Sequence, residues 1–337
     1  MTDTGTLRAS PLKVALALGA VYLIWGSTYL AIRFAIETIP PFLMAGCRYL
    51  TAGALLYGWA RWRGAPQPSL LHWRSAVVVG AFLLLGGNGG VVWAEQRVGS
   101  GLAALLISTE PLWIVLLFWL ASGRKRLHPR VIAGLLLGFA GVALLVRPGG
   151  SGSVDTLGAV ALVLASLSWA WGSLQGQRAA LPASPLVSTG MQMLGGGALL
   201  LAVSVLAGEP ERFALAAVSA RSLLSLAYLI VFGAIVAFTA YVWLLRVAPP
   251  VLVSTYAYVN PVVAVFLGWA LAGEPLRAGT LGAAAVILAG VALISTGQRR
   301  PVVKPSLPQP PLSRPLPSHR TGREGAAKVE AEVCEVR

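Results

Sequence analysis

Charge is scarce in this chain. Only 11% of its 337 residues are charged and 56% are hydrophobic, whereas a soluble domain carries about 25% charged residues. That shortage excludes a single water-soluble globule and points to a bundle of helices in lipid. Cysteine is nearly absent. Cys47 and Cys334 cannot build a disulfide framework. The three histidines, His72, His128 and His319, lie far apart without metal-ligand spacing, so neither a metal nor another cofactor is expected. No G-x-x-x-x-G-K-[ST] loop is present, which excludes an ATPase of the chain's own. H-E-x-x-H and G-x-S-x-G are missing too. The sequence therefore does not read as an enzyme.

What is abundant is apolar sequence. Runs of about 20 residues can cross the hydrocarbon of a bilayer. Ten are visible, at approximately 12–32, 41–60, 74–94, 101–120, 130–147, 157–177, 185–207, 222–244, 251–272 and 278–296. The chain also repeats itself. Ile24-Trp25-Gly26-Ser27 returns as Ala170-Trp171-Gly172-Ser173, Glu110-Pro111 as Asn260-Pro261, and Ala140-Gly141-Val142-Ala143-Leu144 as Ala289-Gly290-Val291-Ala292-Leu293. Matches in constant order mark a duplicated unit. The fold expected is all-α and membrane-integral, with ten transmembrane helices. A polar segment, 1–11, precedes a first five-helix repeat over 12–147. A Gly/Ser linker, 148–156, joins it to a second repeat over 157–296. Five is odd, so the second copy enters from the opposite face and the repeats are inverted. The first run aligns with the sixth and is expected to stay in the mature protein rather than act as a signal peptide. Residues 297–337 are proline-rich and basic, a composition too poor in apolar surface to fold, and read as a disordered cytoplasmic tail.

The formal net charge is +14. In a soluble protein this would suggest nucleic acid; here its placement speaks for topology. Arg61, Arg63, Arg74, Arg124, Lys125, Arg126, Arg130 and Arg178 fall on one side. The other side carries fewer cations, diluted by Glu37, Glu95, Asp155, Glu209, Glu211 and Glu274. The positive-inside rule then puts both termini in the cytoplasm. The partners expected are a lipid bilayer and a small-molecule substrate, not nucleic acid.

Glu110 is the acidic residue in the middle of an apolar run. An aspartate at a helix centre costs about 2.5–3.5 kcal/mol on translocon scales, so intramembrane ionisable groups face a cavity or a partner. Span counting makes Glu110 and Asn260 repeat mates at similar depth. Both precede a proline, and Pro111 and Pro261 are expected to break their helices and free the carbonyls of Ile107 and Ala257. Glu110 and Asn260 would flank a central site for an ammonium group or a proton. The blander alternative is a structural kink with a neutral, hydrogen-bonded Glu110. Arg48, well inside the second run, could pair with Glu110 or snorkel to the interface. Tyr256 and Asn260 share a helix face and would either contact substrate or bond between helices. Trp25 and Trp171 sit near mid-membrane and would wall a pocket or simply pack. Trp93 and Glu95 end the third run and are weaker candidates. Gly-x-x-x-Gly occurs at Gly86–Gly90 and Gly134–Gly138. Such stripes usually serve intramolecular packing, a homodimer face being the lesser reading.

Taken together, Trp25-Gly26-Ser27-Thr28-Tyr29, Pro40-Pro41-Phe42, Arg48-Tyr49, Gly87-Asn88-Gly89, Glu110-Pro111-Leu112 and Tyr256-Ala257-Tyr258-Val259-Asn260-Pro261 resemble the EamA family of the drug/metabolite transporter superfamily. The resemblance spans residues 12–296. It implies two inverted five-helix repeats around a central cavity that opens alternately to each side of a bacterial inner membrane. It also implies export of amino acids or related metabolites, and a cavity drawing on Trp25, Asn88, Glu110, Trp171, Tyr241 and Asn260. Rivals on the same residues are a broad multidrug exporter, a channel, and a membrane enzyme or scaffold acting on lipids.

Overall fold

The computed structural model describes residues 10–121, 128–146, 155–248, 250–253 and 255–297, all within one compact unit. The tail expected after residue 297, most of the 148–156 linker, and Arg124, Lys125 and Arg126 lie outside the described residues. The described chain is helical. Its rods are α1 (Pro11–Ala35), α2 (Pro41–Trp62), α3 (Leu70–Ala94), α4 (Ser100–Ala121), α5 (Pro129–Val146), α6 (Thr156–Arg178), α7 (Pro185–Leu206), α8 (in contiguous pieces Ala220–Tyr228, Leu229–Val236 and Ala237–Val247), α9 (Pro250–Val253, then Tyr256–Ala272) and α10 (Ala278–Gly297). A one-turn helix, Glu209–Arg212, and a 3₁₀ turn, Leu215–Ala217, join α7 to α8. Six rods are long and apolar enough to cross a membrane: α1, α3, α4, α6, α7 and α8 over Ala220–Tyr241. The apolar stretches of α5, α9 and α10 are shorter, and α2 carries Arg48 and Arg61. Large apolar side chains such as Leu23, Leu55, Phe118, Leu136, Leu164 and Phe266 stand exposed around the bundle. So broad an apolar surface suits lipid rather than water.

The duplication is visible in the packing. The main contacts between rods recur when rod n is exchanged for rod n+5: α1 packs on α9 as α6 packs on α4, α1 on α8 as α6 on α3, and α2 on α8 as α7 on α3. The mates α2 and α7 pack on each other, as do α5 and α10. Both pairs are seamed by glycine. Gly46 lies against Leu201, Gly53 against Gly190 and Met193, and Gly197 against Leu50, so residue numbers fall along α7 as they rise along α2. Likewise Gly134 meets Ile294 and Gly141 meets Ile287. Mated rods therefore run antiparallel. A Cβ at Gly53 or Gly190 would come within 2.9 Å of backbone or Cβ atoms on the facing rod, so only glycine permits this approach. The stripe at Gly86–Gly90 is filled by Ser168, Trp169 and Ala165 of α6, and the stripe at Gly134–Gly138 by α10 and Leu112. Both are packed against other rods of the same chain.

Two further features recur at the repeat spacing. The middle of α3, Ala81–Gly89, and of α8, Leu229–Val236, winds as π-helix, starting at 81 and 229, which is 148 residues apart. Both α4 and α9 are interrupted. In α4 the break lies between Ile107 and Glu110, in α9 between Val253 and Tyr256. The mates are Thr109 and Thr255, 146 residues apart, the same interval as Trp25 to Trp171.

The prolines do not cause both breaks. α9 continues through Pro261, which lies inside its second piece. A proline removes a single intrahelical bond, and packing of the Asn260–Val263 turn against Gly26 of α1 holds the rod together there. Pro111 is the second residue of its half-helix, where its missing N–H costs nothing. The turn at each break is built by threonine instead. Thr109 Oγ1 donates to the Leu106 carbonyl at 2.6 Å and Thr255 Oγ1 to the Leu252 carbonyl at 2.5 Å. The backbone follows suit: Thr109 N bonds Leu106 O as Thr255 N bonds Leu252 O, and Leu112 N bonds Thr109 O as Tyr258 N bonds Thr255 O. A hydroxyl competing for the preceding carbonyls tightens the turn and ends the helix.

Candidate functional site

The two broken rods touch each other. α4 and α9 pack antiparallel, with Gly101 beside Val265 and Gly268 beside Ser100. The interval of 146 residues that separates Thr109 from Thr255 also separates Glu110 from Tyr256, and the Glu110 carboxyl lies within electrostatic reach of the Tyr256 hydroxyl. Glu110 opens the second piece of α4 and Tyr256 the second piece of α9. The true mate of Glu110 is thus Tyr256, one turn before Asn260. Pairing Glu110 with Asn260 on the strength of the prolines puts the repeat out of register by four residues.

An aromatic cluster closes in around Tyr256. The ring of Trp25 lies 5.1 Å from that of Tyr241 and 5.3 Å from that of Tyr256, and Tyr241 and Tyr256 are 5.7 Å apart at 88°. Phe238 extends the wall at 6.2 Å from Tyr241. Edge-to-face contacts of this kind fix ring orientation. Trp25 is held further by Nε1, which donates to the Gly233 carbonyl at 3.1 Å. That carbonyl belongs to the π-helical stretch of α8, where π-bulges commonly accompany functional sites. The Glu110 carboxyl is half-buried and lies within electrostatic reach of the hydroxyls of Tyr29, Tyr241 and Tyr256. Its carboxylate stands at the N-terminal end of a half-helix, where the helix dipole favours negative charge.

Each break is tied to the neighbouring repeat. Thr109 Oγ1 bonds Ser166 Oγ of α6 at 3.1 Å, and Thr255 Oγ1 bonds the Tyr22 hydroxyl of α1. The Ile107 carbonyl, which ends the first piece of α4 at the break, receives Ser166 Oγ at 3.4 Å. The freed carbonyl thus finds a protein partner within the bilayer. Asn260 is 8% exposed. Its side-chain nitrogen, oriented to satisfy its surroundings, donates to the carbonyls of Tyr22 and Tyr256 at 3.3 and 3.2 Å. It acts as a tie between α1 and α9.

Other expected residues stand apart. Trp171 is 40% exposed, with its ring edge toward Phe82, unlike its mate Trp25. Gly172 rests on Phe82 and Leu83 of α3, while Gly26 rests on Val263 of α9. The mated helices therefore turn their tryptophans to different surroundings. Asn88 is half-buried in the π-helical stretch of α3. Arg48 does not snorkel. It is 5% exposed, its guanidinium approaches Gly233 of α8, and its Nε lacks a hydrogen-bond partner. The expected pair with Glu110 is not made: the ion pairs among the described residues are Arg33–Glu274, Arg97–Asp155 and Arg221–Glu37. α8 packs against α2 at this point, and the side chain is directed there instead. Tyr29, quoted above only as part of a motif, packs against the core within electrostatic reach of both Glu95 and Glu110. Its spacing of four from Trp25 on α1 is the signal that could have marked it.

At one end of the bundle the connections are locked by polar side chains. Glu274, between α9 and α10, accepts from Ser100 N at 2.6 Å, Ser100 Oγ at 2.8 Å and Gly101 N at 3.0 Å, capping α4 from outside. Glu209, between α7 and α8, accepts from Phe42 N at 3.2 Å and Leu43 N at 2.8 Å, capping α2. Arg33 donates to the Glu95 and Val98 carbonyls at 3.1 and 3.3 Å. Ser219 N donates to Thr38 Oγ1, and Ser222 Oγ to the Phe34 carbonyl. This is the glutamate face. The opposite, arginine face is held by apolar packing of Ala60, Ala76, Val187 and Met191 with Tyr57 and Trp73. It is notched by a groove of about 330 Å³ between Val14, Leu18 and Leu252.

Comparison with known proteins agrees with this architecture. Residues 12–147 and 156–296 each match the EamA-like transporter family. The inner membrane transporter YedA of Escherichia coli (strain K12) is 40% identical over 294 residues, which cover 86% of this chain and 94% of that one. Protein PecM of Dickeya dadantii (strain 3937) is 28% identical over 295 residues, 84% and 93% of the two chains. One crystal structure superposes with a TM-score of 0.57 at 24% identity, covering 84% of this chain and 96% of that chain, and so shares the fold. With two matched units and a relative at this identity along nearly its whole length, the chain belongs to the EamA-like transporter family.

Proposed function

We propose that the protein is an inner-membrane secondary transporter that exports amino acids or related small amphipathic metabolites by alternating access. Ten rods cross the bilayer as two inverted five-helix repeats, with both termini on the arginine face, in the cytoplasm. Antiparallel packing of the mated rods supports the inversion. The cation excess supports the orientation.

The observation that carries the reading is the convergence of the two broken rods. Discontinuous helices whose half-helix ends meet near mid-membrane are the usual construction of a transporter's substrate site. Here Glu110 and Tyr256 open the second pieces of the two rods, and Glu110 lies within electrostatic reach of Tyr256 and Tyr241. Glu110 supplies the negative charge for an ammonium group, and the aromatic walls take the apolar part of the ligand. The same walls favour a second reading, a broad multidrug exporter that recognises lipophilic cations.

A thermal-shift panel of amino acids, amines, sugars and lipophilic cations tests both readings on the purified chain and on Glu110→Gln. A ligand at a hundredfold excess over its dissociation constant adds about 2.7 kcal/mol. Selective stabilisation by amino acids that disappears in Glu110→Gln supports the metabolite exporter. Comparable shifts from many unrelated cations support the multidrug reading. Full shifts retained by Glu110→Gln remove Glu110 from the site.

A further inference from the structure

Glu95, just beyond the end of α3, is 1% exposed, and neither carboxylate oxygen has a hydrogen-bond partner. An ionised carboxylate cannot be kept in that condition. Burying a charge without a partner costs several kcal/mol, and the group responds by taking up a proton. Its surroundings agree. Glu274 faces it from the α9–α10 connection, Arg33 and Tyr29 from α1, and Arg48 from α2. Arg33 spends its donors on the Glu95 and Val98 carbonyls and lies 3.9 Å from Glu274, and Arg48 makes no ion pair. Burial pushes the Glu95 carboxyl well above the ordinary carboxylate range. Glu274 pushes it the same way, while Arg33 and Arg48 pull against it without cancelling the shift.

We propose that Glu95 is a proton-binding site of the glutamate face, and that this face closes only with Glu95 protonated. The proton comes from water on that side while the face is open. Closure buries the neutral acid beneath the Glu274 clamp on Ser100 and Gly101. Reopening gives Glu95 water, and the proton returns to that side. Closing is thereby coupled to uptake of one proton, which makes closure of this face responsive to the pH on its own side. The idea rests on the alternating-access reading above, but the site itself needs no transported substrate, so the two can fail separately.

The sign follows from linkage. A carboxyl that binds its proton more tightly closed than open favours closure most at low pH. That preference drains away as pH rises from the ordinary carboxylate range toward the raised value. Val98 reports the closed state, being buried and packed on Gly158 at the start of α6. The test uses the full-length protein in lipid nanodiscs with Cys47 and Cys334 replaced by serine and Val98→Cys introduced. The rate of reaction with a membrane-impermeant maleimide is measured from pH 5.5 to 8.5 and corrected for thiolate fraction. We expect it to rise by up to about tenfold per pH unit, the limit for one linked proton. Adding Glu95→Gln, which copies the neutral acid in shape, should make the profile flat and slow. A flat profile with Glu95 present, or an unchanged slope in Glu95→Gln, overturns the proposal. As a check independent of the cysteine, dicyclohexylcarbodiimide, which attacks protonated carboxyls in apolar surroundings, should modify Glu95 at neutral pH in the unaltered chain. Peptide mass spectrometry showing Glu95 untouched while other carboxyls react would equally overturn it.

Discussion

The two ends of the bundle are built from mated elements, yet they are held by different forces. On the glutamate face, α2 begins at Pro41 with no cap of its own, and Glu209 reaches across from the α7–α8 connection to bond its first N–H groups. Its mate α7 begins at Pro185 on the arginine face, also without a side-chain cap. The corresponding α2–α3 connection there carries Arg63, Gly64, Ala65 and Pro66, with no carboxylate to offer. Glu274 repeats the device at α4. One face is therefore tied by directional, charge-assisted hydrogen bonds, and the other, among the described residues, by apolar packing. In a pseudo-symmetric fold two equivalent faces are thereby held by unequal means.

The comparison can be broken first at its strongest point. Glu274→Ala strands two backbone donors and the Ser100 hydroxyl, and should lower stability by about 2–4 kcal/mol in detergent thermal unfolding. Glu209→Ala, with only two backbone donors to lose, should cost about 1.5–3 kcal/mol. If both substitutions proved silent, the glutamate face would be no better clamped than its opposite. The pH dependence sharpens the contrast further. Stability should fall by up to about 1.4 kcal/mol per unit as pH rises from the ordinary carboxylate range toward the raised value of Glu95, and Glu95→Gln should flatten that slope. Ser166→Ala, which leaves the Ile107 carbonyl and Thr109 hydroxyl short of a partner, should cost about 1 kcal/mol. Smallest of all is Arg63→Ala on the arginine face. It removes an exposed stacking contact 4.9 Å from the Trp59 ring and should move the midpoint by no more than about 0.5 kcal/mol. A larger loss there would mean that the arginine face too has a polar lock.

Part of the proposed site was legible as a pattern. Glu110 is conspicuous because charge in an apolar run has to be explained, and the structure gathers the rings of Trp25, Tyr241 and Tyr256 into one cluster. The register of the site was harder. Glu110-Pro111 and Asn260-Pro261 invite alignment because proline is the loudest helix signal. The quieter match is Leu106-Ile107-Ser108-Thr109 with Leu252-Val253-Ser254-Thr255, at the same interval as the tryptophans, and it marks the turns that the threonines build. Glu95 looked like an ordinary interfacial residue because nothing local distinguishes a carboxylate facing water from one roofed by another connection.

The sequence by itself determined the helices, the duplication and the contact with lipid. Each follows from composition and short-range pattern: apolar runs long enough to span, glycines where rods must touch, an odd number of rods per copy. Tertiary structure alone decided that Trp25 packs into the cluster of Tyr241 and Tyr256 while Trp171 is 40% exposed beside Phe82, that Arg48 turns toward Gly233 instead of Glu110, and that the Glu95 carboxylate is left without a hydrogen-bond partner. Burial and electrostatic environment are set by side chains brought together from distant parts of the chain. Two copies of one local pattern can therefore meet different neighbours and take different roles.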